Sequence, residues 1–265
     1  MNIDSFFTIG KSHKVCEDYA LCNPEKHNVF GISDGCSSSK NTDFGSRIML
    51  KAFEHSIDSI VKNPTHIMQY IHVASSKILN SFNGTLQSAA LDATLNVGFE
   101  NSSGEIEINV IGDGYIVAVF KNGNYSIYEI DYSDNAPYYI TYMFNSARDL
   151  EYKKVVQVKN FNCTTYDKLG NLLNETKTVS NSPYENLFFP KDDYISVSLF
   201  SDGLKTLIPN DISADKIPLH EVVNQLITFP QPNGEFVKRK CLSFLKKNKE
   251  HMFYDDFSMA TCYIG

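Results

Sequence analysis

The chain has 265 residues, of which 42% are hydrophobic, with 18 phenylalanines and 15 tyrosines, and this composition excludes an intrinsically disordered protein. The formal net charge is −7, and no basic cluster is long enough to indicate a nucleic-acid surface or attachment to an anionic membrane. The sequence also has no apolar run of the length that spans a bilayer, which argues against a membrane protein.

Two strands and two helices are predicted in the first third of the chain. Residues 5–35 contain two apolar runs around a turn, which predicts a hairpin leading into Asp34. Over residues 43–61 the apolar side chains recur every three or four positions, as in an amphipathic helix. A second helical pattern follows over residues 67–79, after Pro64 has ended the first helix.

An alternating pattern of apolar and polar side chains returns in the middle of the chain. It covers residues 94–128 and predicts four strands. The Asn122-Gly123 pair between two of these strands is typical of a hairpin turn. We therefore expect a meander of antiparallel strands, with Asp113 in one of its turns.

Residues 131–193 are the least regular part of the sequence, being rich in asparagine, tyrosine, serine and threonine. They predict an irregular and partly helical insertion, with a strand pair about residues 155–158 and a turn at residues 169–171. Two interpretations stay open from the residues alone: an ordinary solvated loop, or a segment that acts at a functional site.

The last third of the chain predicts two strands and two helices. The strands cover residues 194–200 and 259–264, and the helices cover residues 219–227 and 236–245. Blocks of strands separated by pairs of helices, without a steady alternation, favour an α+β fold over a parallel α/β fold.

Acidic residues far apart in sequence each lie at the end of an apolar run or in a turn beside one. They are Glu17, Asp18, Asp34, Asp202 and Asp255. Carboxylates at strand ends point to a common edge of a sheet, where they repel each other unless cations neutralise them. Oxygen ligands of this kind suit hard ions such as Mg²⁺ or Mn²⁺.

Five short motifs carry a family resemblance. They are Glu17-Asp18, Ser33-Asp34-Gly35, Gly112-Asp113-Gly114, Ser201-Asp202-Gly203-Leu204 and Asp255-Asp256-Phe257-Ser258. In this order, and on these apolar runs, they resemble the motifs of the metal-dependent protein phosphatases of the PP2C type. Because the motifs cover nearly the whole chain and must meet in one site, the resemblance implies a single domain over residues 1–265. It also implies two packed antiparallel β-sheets flanked by helix pairs, and a flap near the site within residues 131–193.

The resemblance implies a site for two Mn²⁺ or Mg²⁺ ions. In the family pattern, Asp34 bridges the two ions and the carbonyl group of Gly35 is a further ligand. Asp202 and Asp255 hold one ion, and Glu17 reaches the other ion directly or through water. These assignments follow from the positions of the motifs and not from spacing alone.

Four further positions concern catalysis, a third ion and substrate binding. Asp18 is expected to orient metal-bound waters, and Asp113 is expected to help hold a third ion. The third site stays open, because Thr206 stands where the family has a second carboxylate. His13 stands where the family often has a phosphate-binding arginine, and Cys36 stands where it often has a histidine. His13 is therefore our candidate for a group that binds the phosphate, with Lys11 as the alternative.

The function implied by the resemblance is that of a metal-dependent protein serine/threonine phosphatase. Such an enzyme hydrolyses phosphoserine and phosphothreonine with a water that two metals activate. Its expected partners are a phosphorylated protein and a Ser/Thr kinase of the same pathway. Two alternatives stay open: a pseudophosphatase that acts as a binding or regulatory module, and a phosphatase for a small phosphorylated metabolite. Six scattered cysteines without Cys-x-x-Cys spacing predict reduced thiols in a cytoplasmic protein.

Overall fold

The structure is a computed structural model that describes residues 1–155, 158–210 and 216–265. In chain order, the strands are β1 (Asn2–Thr8), β2 (Tyr19–Asn23), β3 (Val29–Ser33), β4 (Leu95–Glu100), β5 (Ile106–Ile111), β6 (Gly114–Phe120), β7 (Tyr125–Tyr132), β8 (Lys159–Tyr166), β9 (Leu172–Ser180), β10 (Tyr184–Phe189), β11 (Tyr194–Phe200), β12 (Leu207–Pro209), β13 (His251–Phe253) and β14 (Phe257–Tyr263). The α-helices are α1 (Thr42–Lys62), α2 (Ile67–Asn80), α3 (Ile140–Met143), α4 (Ser146–Val155), α5 (Leu219–Leu226) and α6 (Phe236–Lys247). Within the described ranges, no helix is both long and apolar enough to cross a membrane.

Two antiparallel sheets form the centre of the fold. The first sheet has seven strands in the order β1-β14-β11-β6-β7-β8-β9, and the second has five in the order β10-β5-β4-β3-β2. Helices α1 and α2 pack on the second sheet, and α5 and α6 pack on the first. The predicted α+β class, with two packed sheets flanked by helix pairs, is therefore confirmed.

Two apolar cores explain why so many strands of the first sheet are hydrophobic on both faces. On β6, Ile116 and Ala118 point into the core between the two sheets. The alternate residues Tyr115 and Val117 point into the core beneath α5 and α6. Because successive side chains of a strand point to opposite faces, β6 contributes to both cores.

The first strands and the central strands are connected differently from the prediction. The expected hairpin exists as β2–β3, but β1 belongs to the other sheet, where it pairs with β14. The expected continuous meander is wrong, because β4 and β5 lie in the second sheet while β6 and β7 lie in the first. The chain crosses between the sheets at Asp113. The flanking Gly112 and Gly114 have φ angles of 92° and 128°, which glycine adopts without the steric cost of a side chain.

The segment over residues 131–193 is partly helical, as predicted, but more regular than expected, since α3, α4 and strands β8, β9 and β10 lie there. Two features hid this order. Helix α4 buries no residue, and β9 is exposed at almost every position, so neither has a periodic apolar pattern. The predicted turn at residues 169–171 does connect β8 to β9. The predicted strand pair about residues 155–158 falls partly on residues 156 and 157, which lie outside the described residues, and Val155 ends α4.

Gly45 fixes the position of α1 on the second sheet. A Cβ atom at Gly45 would lie 1.5 Å from the carbonyl oxygen of Ala90, in the 3₁₀ turn Ser88–Leu91. The contact is with backbone, so neither partner can rotate away.

We expect Gly45→Ala to destabilise the protein, although alanine is favoured over glycine in a helix by about 1 kcal/mol. Overpacking against backbone should outweigh that gain and lower the free energy of unfolding by about 1–3 kcal/mol. Ser59→Ala, on an exposed position of the same helix, is the matched control and should change stability by less than about 0.5 kcal/mol. Denaturant unfolding measures both variants, and a stabilised Gly45→Ala variant would contradict the packing described here.

Candidate functional site

Antiparallel pairing brings the predicted acidic residues to one edge of the sheets. Strand β11 pairs with both β6 and β14, so its end lies beside the start of each of these neighbours. Asp202 follows β11, Asp113 precedes β6, and Asp255 lies just before β14. Asp34 follows β3 in the second sheet. Residues separated by more than 200 positions in sequence therefore meet at one place.

A cavity of about 270 Å³ opens at this edge. Its lining includes Asp34, Gly35, Asp113, Asp202 and Asp255 of the predicted site. The remaining lining residues are Cys36, Ser37, Ser38, Thr94, Asn135, Pro137 and Tyr139. A larger groove of about 940 Å³ lies against α1 and α2, but it contains none of the predicted site residues. The chemistry of the lining, and not the volume, makes the smaller cavity the candidate site.

Backbone and side-chain bonds fix Asp34 in the floor of the cavity. The amide group of Asp34 donates to Thr94 Oγ1 (3.0 Å), and the amide group of Thr94 donates to the carbonyl oxygen of Asp34 (2.8 Å). Gly35 forms a β-bridge with Ala93, and a Cβ atom on Gly35 would lie 2.8 Å from Thr42 Cβ. Gly35 is therefore needed for close approach. Thr94 was missed from the sequence because a threonine in a strand carries no distinctive signal.

Asp18 lies behind the cavity and is fully buried. Neither of its carboxylate oxygens has a hydrogen bond of normal geometry to the described residues, although Ser201, Ser258 and Asp34 are its polar neighbours. Burial raises the pKa of Asp18 to about 7. A buried carboxylate without a positive partner is costly to ionise, so Asp18 needs a counter-charge when it is ionised.

Burial and neighbouring negative charges also raise the pKa values of Asp34 and Asp113. Burial, followed by the charges of Asp18, Asp202 and Asp113, raises the pKa of Asp34 well above its usual range. Burial, followed by the charge of Asp202, raises the pKa of Asp113 to about 7. The carboxylates are therefore close enough to oppose each other's ionisation.

The donors at this edge fit a hard divalent cation. All of them are oxygen atoms, burial and then neighbouring negative charge raise the pKa values of Asp18, Asp34 and Asp113, and the carboxylate oxygens of Asp18 have no hydrogen-bond partner among the described residues. As the side chains stand, no group of three or more His, Cys, Asp or Glu within the described ranges converges as a formed metal site. Carboxylates that repel each other are stabilised by a cation between them, so the chemistry of these donors still fits a cation site.

Asp256 organises the loop that carries Glu17, a role that the sequence did not indicate. Its carboxylate accepts hydrogen bonds from the amide groups of Gly10 (2.7 Å) and Glu17 (2.6 Å), and it is almost fully buried. Glu17 Oε1 also accepts a hydrogen bond from the Thr42 hydroxyl (2.9 Å). A buried acid that caps two amide groups looks no different in sequence from its neighbour Asp255.

His13 contacts carboxylates through both ring nitrogens. Its Nε2 lies 3.2 Å from Asp255 Oδ1, and its Nδ1 lies 3.0 Å from Asp256 Oδ2. Burial lowers the pKa of His13, but hydrogen bonding to Asp256 and the charges of Asp256, Asp255 and Glu17 outweigh it, so the pKa is raised. The role of His13 in binding phosphate stays a prediction; in the structure this side chain holds acidic residues together.

Lys205 supplies positive charge beside Asp113 and Asp202. Its Nζ lies 3.5 Å from Asp202 Oδ2 and 3.6 Å from Asp131 Oδ1. Burial alone would lower the pKa of Lys205, but the charges of Asp202, Asp113 and Asp131 raise it. Thr206 donates its hydroxyl to the carbonyl oxygen of Gly203 and accepts a hydrogen bond from the Asp255 amide group. Thr206 therefore supports the Asp255 loop.

Sequence comparison identifies the family. The model of the family described as protein phosphatase 2C matches residues 9–245. No curated protein matches the chain significantly.

Structure comparison finds relatives of similar size and fold. PppA of Pseudomonas aeruginosa, described as a key regulatory component of T6SS, is 15% identical with a TM-score of 0.51 over 98% of this chain and 95% of its own. The serine/threonine phosphatase Stp1 of Staphylococcus aureus is 10% identical with a TM-score of 0.54, over 100% of this chain and 96% of its own. The serine/threonine phosphatase PstP of Mycobacterium tuberculosis is 12% identical with a TM-score of 0.51, over 98% and 96%. At these identities the likeness concerns the fold.

The raised pKa values predict that the metal-free protein loses stability as the pH rises. Asp18 and Asp113 have folded pKa values of about 7 against an ordinary value of 3.8. Between these values the folded chain binds more protons than the unfolded chain, so the free energy of unfolding decreases with increasing pH. In a chelator, we expect a decrease of at least about 2 kcal/mol between pH 5 and pH 8, measured by urea unfolding.

Two comparisons identify the cause of this pH dependence. Asp113→Asn should flatten the slope, whereas Asp58→Asn, which changes an exposed carboxylate on α1, should leave it unchanged. Mn²⁺ should stabilise the protein more at pH 8 than at pH 5, because protons compete with the cation. If the free energy of unfolding in the chelator stayed level or increased between pH 5 and pH 8, the pKa values of these carboxylates would not be raised in the folded protein.

Proposed function

The chain belongs to the protein phosphatase 2C family, and we propose that it is a metal-dependent phosphatase that hydrolyses phosphoserine and phosphothreonine in proteins. The observation that carries the proposal is the meeting of Asp34, Asp113, Asp202 and Asp255 around one cavity. A family match alone leaves open whether a site is intact. Four carboxylates lie at one edge, and burial together with neighbouring negative charge raises the pKa values of Asp34, Asp113 and Asp255, which supports an intact site.

The proposal assigns the cation ligands as follows. Asp34 would be the ligand that both ions share, assisted by the Gly35 carbonyl group. Asp202 and Asp255 would hold one ion, and Glu17 would hold the other. When bound, divalent cations lower the pKa of water and neutralise charge on the phosphoryl group.

The remaining residues orient these ligands and the substrate. Asp18 is fully buried behind the cavity, and it would orient waters bound to the cations. His13 holds Asp255 and Asp256 at fixed positions. Lys205 compensates the charge of Asp202 and Asp113. A third cation is therefore not needed for charge balance on that side of the cavity.

The proposed partners follow from the reaction. The substrate is a phosphorylated protein, and a Ser/Thr kinase of the same pathway must supply the phosphate ester. The proposed location is the cytoplasm, because the six cysteines are free thiols. A pseudophosphatase is less favoured, because the carboxylates assigned to the two ions, Glu17, Asp34, Asp202 and Asp255, are all present, although Thr206 replaces a carboxylate of the third site. Hydrolysis of p-nitrophenyl phosphate with and without Mn²⁺ separates these functions, and a phosphopeptide compared with a panel of phosphorylated metabolites identifies the substrate class.

We expect Asp34→Asn to abolish Mn²⁺ binding and phosphate ester hydrolysis together. The substitution keeps the shape of the side chain but removes the charge that both ions share. Hydrolysis of p-nitrophenyl phosphate should fall by at least about a hundredfold, and calorimetry should show weaker Mn²⁺ binding. Asp131→Asn, which removes an acid from the periphery of the same cluster, is the control. It should retain most of the Mn²⁺ affinity and most of the hydrolytic activity. Wild-type Mn²⁺ affinity in Asp34→Asn would show that the assignment is wrong.

We expect Lys205→Met to make the stability of the folded protein depend more strongly on added cations. Without the ammonium group, Asp113 and Asp202 lose their compensating charge, and the metal-free protein should become less stable by about 1 kcal/mol, since Lys205 is partly exposed. Mn²⁺ should then raise the melting temperature of the variant by more than it raises that of the wild type. Lys62→Met, in the last turn of α1, is the control. If Mn²⁺ raised the melting temperature of Lys205→Met and of the wild type equally, Lys205 would not compensate the negative charge of Asp113 and Asp202.

A further inference from the structure

Residues 135–148, which we call the wall segment, form one side of the candidate cavity. Asn135, Pro137 and Tyr139 contribute to the cavity lining. The segment continues through α3 to Arg148 on α4. Any protein substrate that places a phosphorylated side chain in the cavity must pass beside this segment.

Helix α4 has little apolar packing apart from Tyr152, which is partly buried against the rings of Tyr138 and Tyr142. None of its residues is buried, and Leu150 and Val155 are largely exposed. A helix without a buried apolar face takes its position from specific polar contacts, and it opens readily when those contacts are removed. The buried side chains of Tyr138, Tyr139 and Ile140 anchor the first part of the wall segment, and the polar contacts of α4 decide where its other end lies.

One of these contacts is a buried ion pair with Asp92. Arg148 donates from Nη1 to Asp92 Oδ1 (2.9 Å) and from Nη2 to Asp92 Oδ2 (2.7 Å), a bidentate arrangement. Asp92 is 1% exposed. Thr141 on α3 also donates to Asp92 Oδ1 (2.7 Å), and the Arg148 guanidinium lies 4.5 Å from the centre of the Tyr142 ring. One carboxylate thus binds both helices of the wall segment.

The same residue is joined to the floor of the cavity. The Ser39 hydroxyl donates to Asp92 Oδ2 (3.0 Å), and the Cys36 amide group donates to the Asp92 carbonyl oxygen (2.9 Å). Asp92 directly precedes Ala93 and Thr94, which pair with Gly35 and Asp34. Asp92 therefore connects the loop that carries the candidate ligands to the wall beside it.

We propose that the Asp92–Arg148 ion pair positions the wall segment and thereby sets the affinity for the peptide around the phosphorylated residue. Arg148 is a positioning residue and does not touch the phosphoryl group. This inference rests on the proposed phosphatase function for its kinetic test. A large substrate depends on the wall, whereas a small phosphate ester depends only on the floor.

The test compares Arg148→Gln with the wild type on two substrates, a phosphothreonine peptide and p-nitrophenyl phosphate. For the peptide, KM should increase by about tenfold while kcat changes by less than about threefold. For p-nitrophenyl phosphate, both constants should change by less than about threefold. Backbone amides over residues 135–148 should exchange hydrogen faster in the variant.

Three further variants separate positioning from a general loss of stability. Lys153→Gln removes a positive charge from the exposed side of α4, where Lys153 pairs with Asp149, and should behave as the wild type. Arg148→Lys keeps the charge but loses the bidentate geometry, so its peptide KM should be intermediate. Asp92→Asn combined with Arg148→Gln leaves no uncompensated buried charge, so it should recover folding stability but not peptide KM.

Two results would overturn the proposal: unchanged hydrogen exchange over residues 135–148 in Arg148→Gln, or an equal loss of kcat on both substrates. Failure of the proposed function is distinguishable from both. If the wild type hydrolyses neither substrate in Mn²⁺, the phosphatase assignment fails. Hydrogen exchange and peptide affinity by fluorescence anisotropy then still test the positioning role, and equal affinities of the wild type and Arg148→Gln would overturn it.

Discussion

Repulsion between carboxylates at one sheet edge is the constraint on which the rest of this structure depends. Folding brings Asp34, Asp113 and Asp202 together by strand pairing, and burial removes the water that would screen them. The raised pKa values of Asp34 and Asp113, which result from burial and from neighbouring negative charge, indicate that this arrangement is unfavourable. Apolar packing and backbone pairing elsewhere in the fold must offset this cost, since nothing in the cluster of carboxylates favours its own assembly.

The protein's own positive charges reduce this repulsion unevenly. Lys205 lies on the side of Asp113 and Asp202, and His13 lies on the side of Asp255 and Asp256. Among the ion pairs of the described residues, none involves Asp18 or Asp34. The uncompensated charge therefore lies at the centre of the cluster, where a bound cation gains the most electrostatic free energy.

The sequence indicated much of the fold and the acidic lining of the candidate cavity, for physical reasons that can be traced to particular residues. The long helices and the buried strands have apolar residues at a clear period. The short motifs indicated which acidic residues lie at strand ends and meet at one edge. The glycines that follow Asp34 and Asp202 were expected to let the chain turn tightly. Gly35 and Gly203 matter for a different reason, because neither has a positive φ angle. A Cβ atom on Gly203 would lie 1.8 Å from the Asp256 carbonyl oxygen, so close approach requires the glycine.

The features that the sequence did not indicate are those fixed by partners distant in the chain. Helix α4 has no apolar face, and β9 is solvated on both sides, so periodicity could not reveal either. The roles of Asp92 and Asp256 depend on which amide groups, hydroxyl groups and guanidinium group surround them. Nothing in the neighbouring sequence distinguishes such a buried acid from an ordinary turn residue.

The two sides of the cavity consequently differ in how they are stabilised. Sheet pairing holds the floor, and moving one of its acids by a single residue would turn its side chain to the opposite face. The wall segment is held at its α4 end by side-chain bonds to one buried carboxylate, and at its other end by the buried side chains of Tyr138, Tyr139 and Ile140. On the proposed function, we expect substitutions in the wall to alter peptide binding while the acids keep their arrangement. Such a division would let one chemical site act on different substrates.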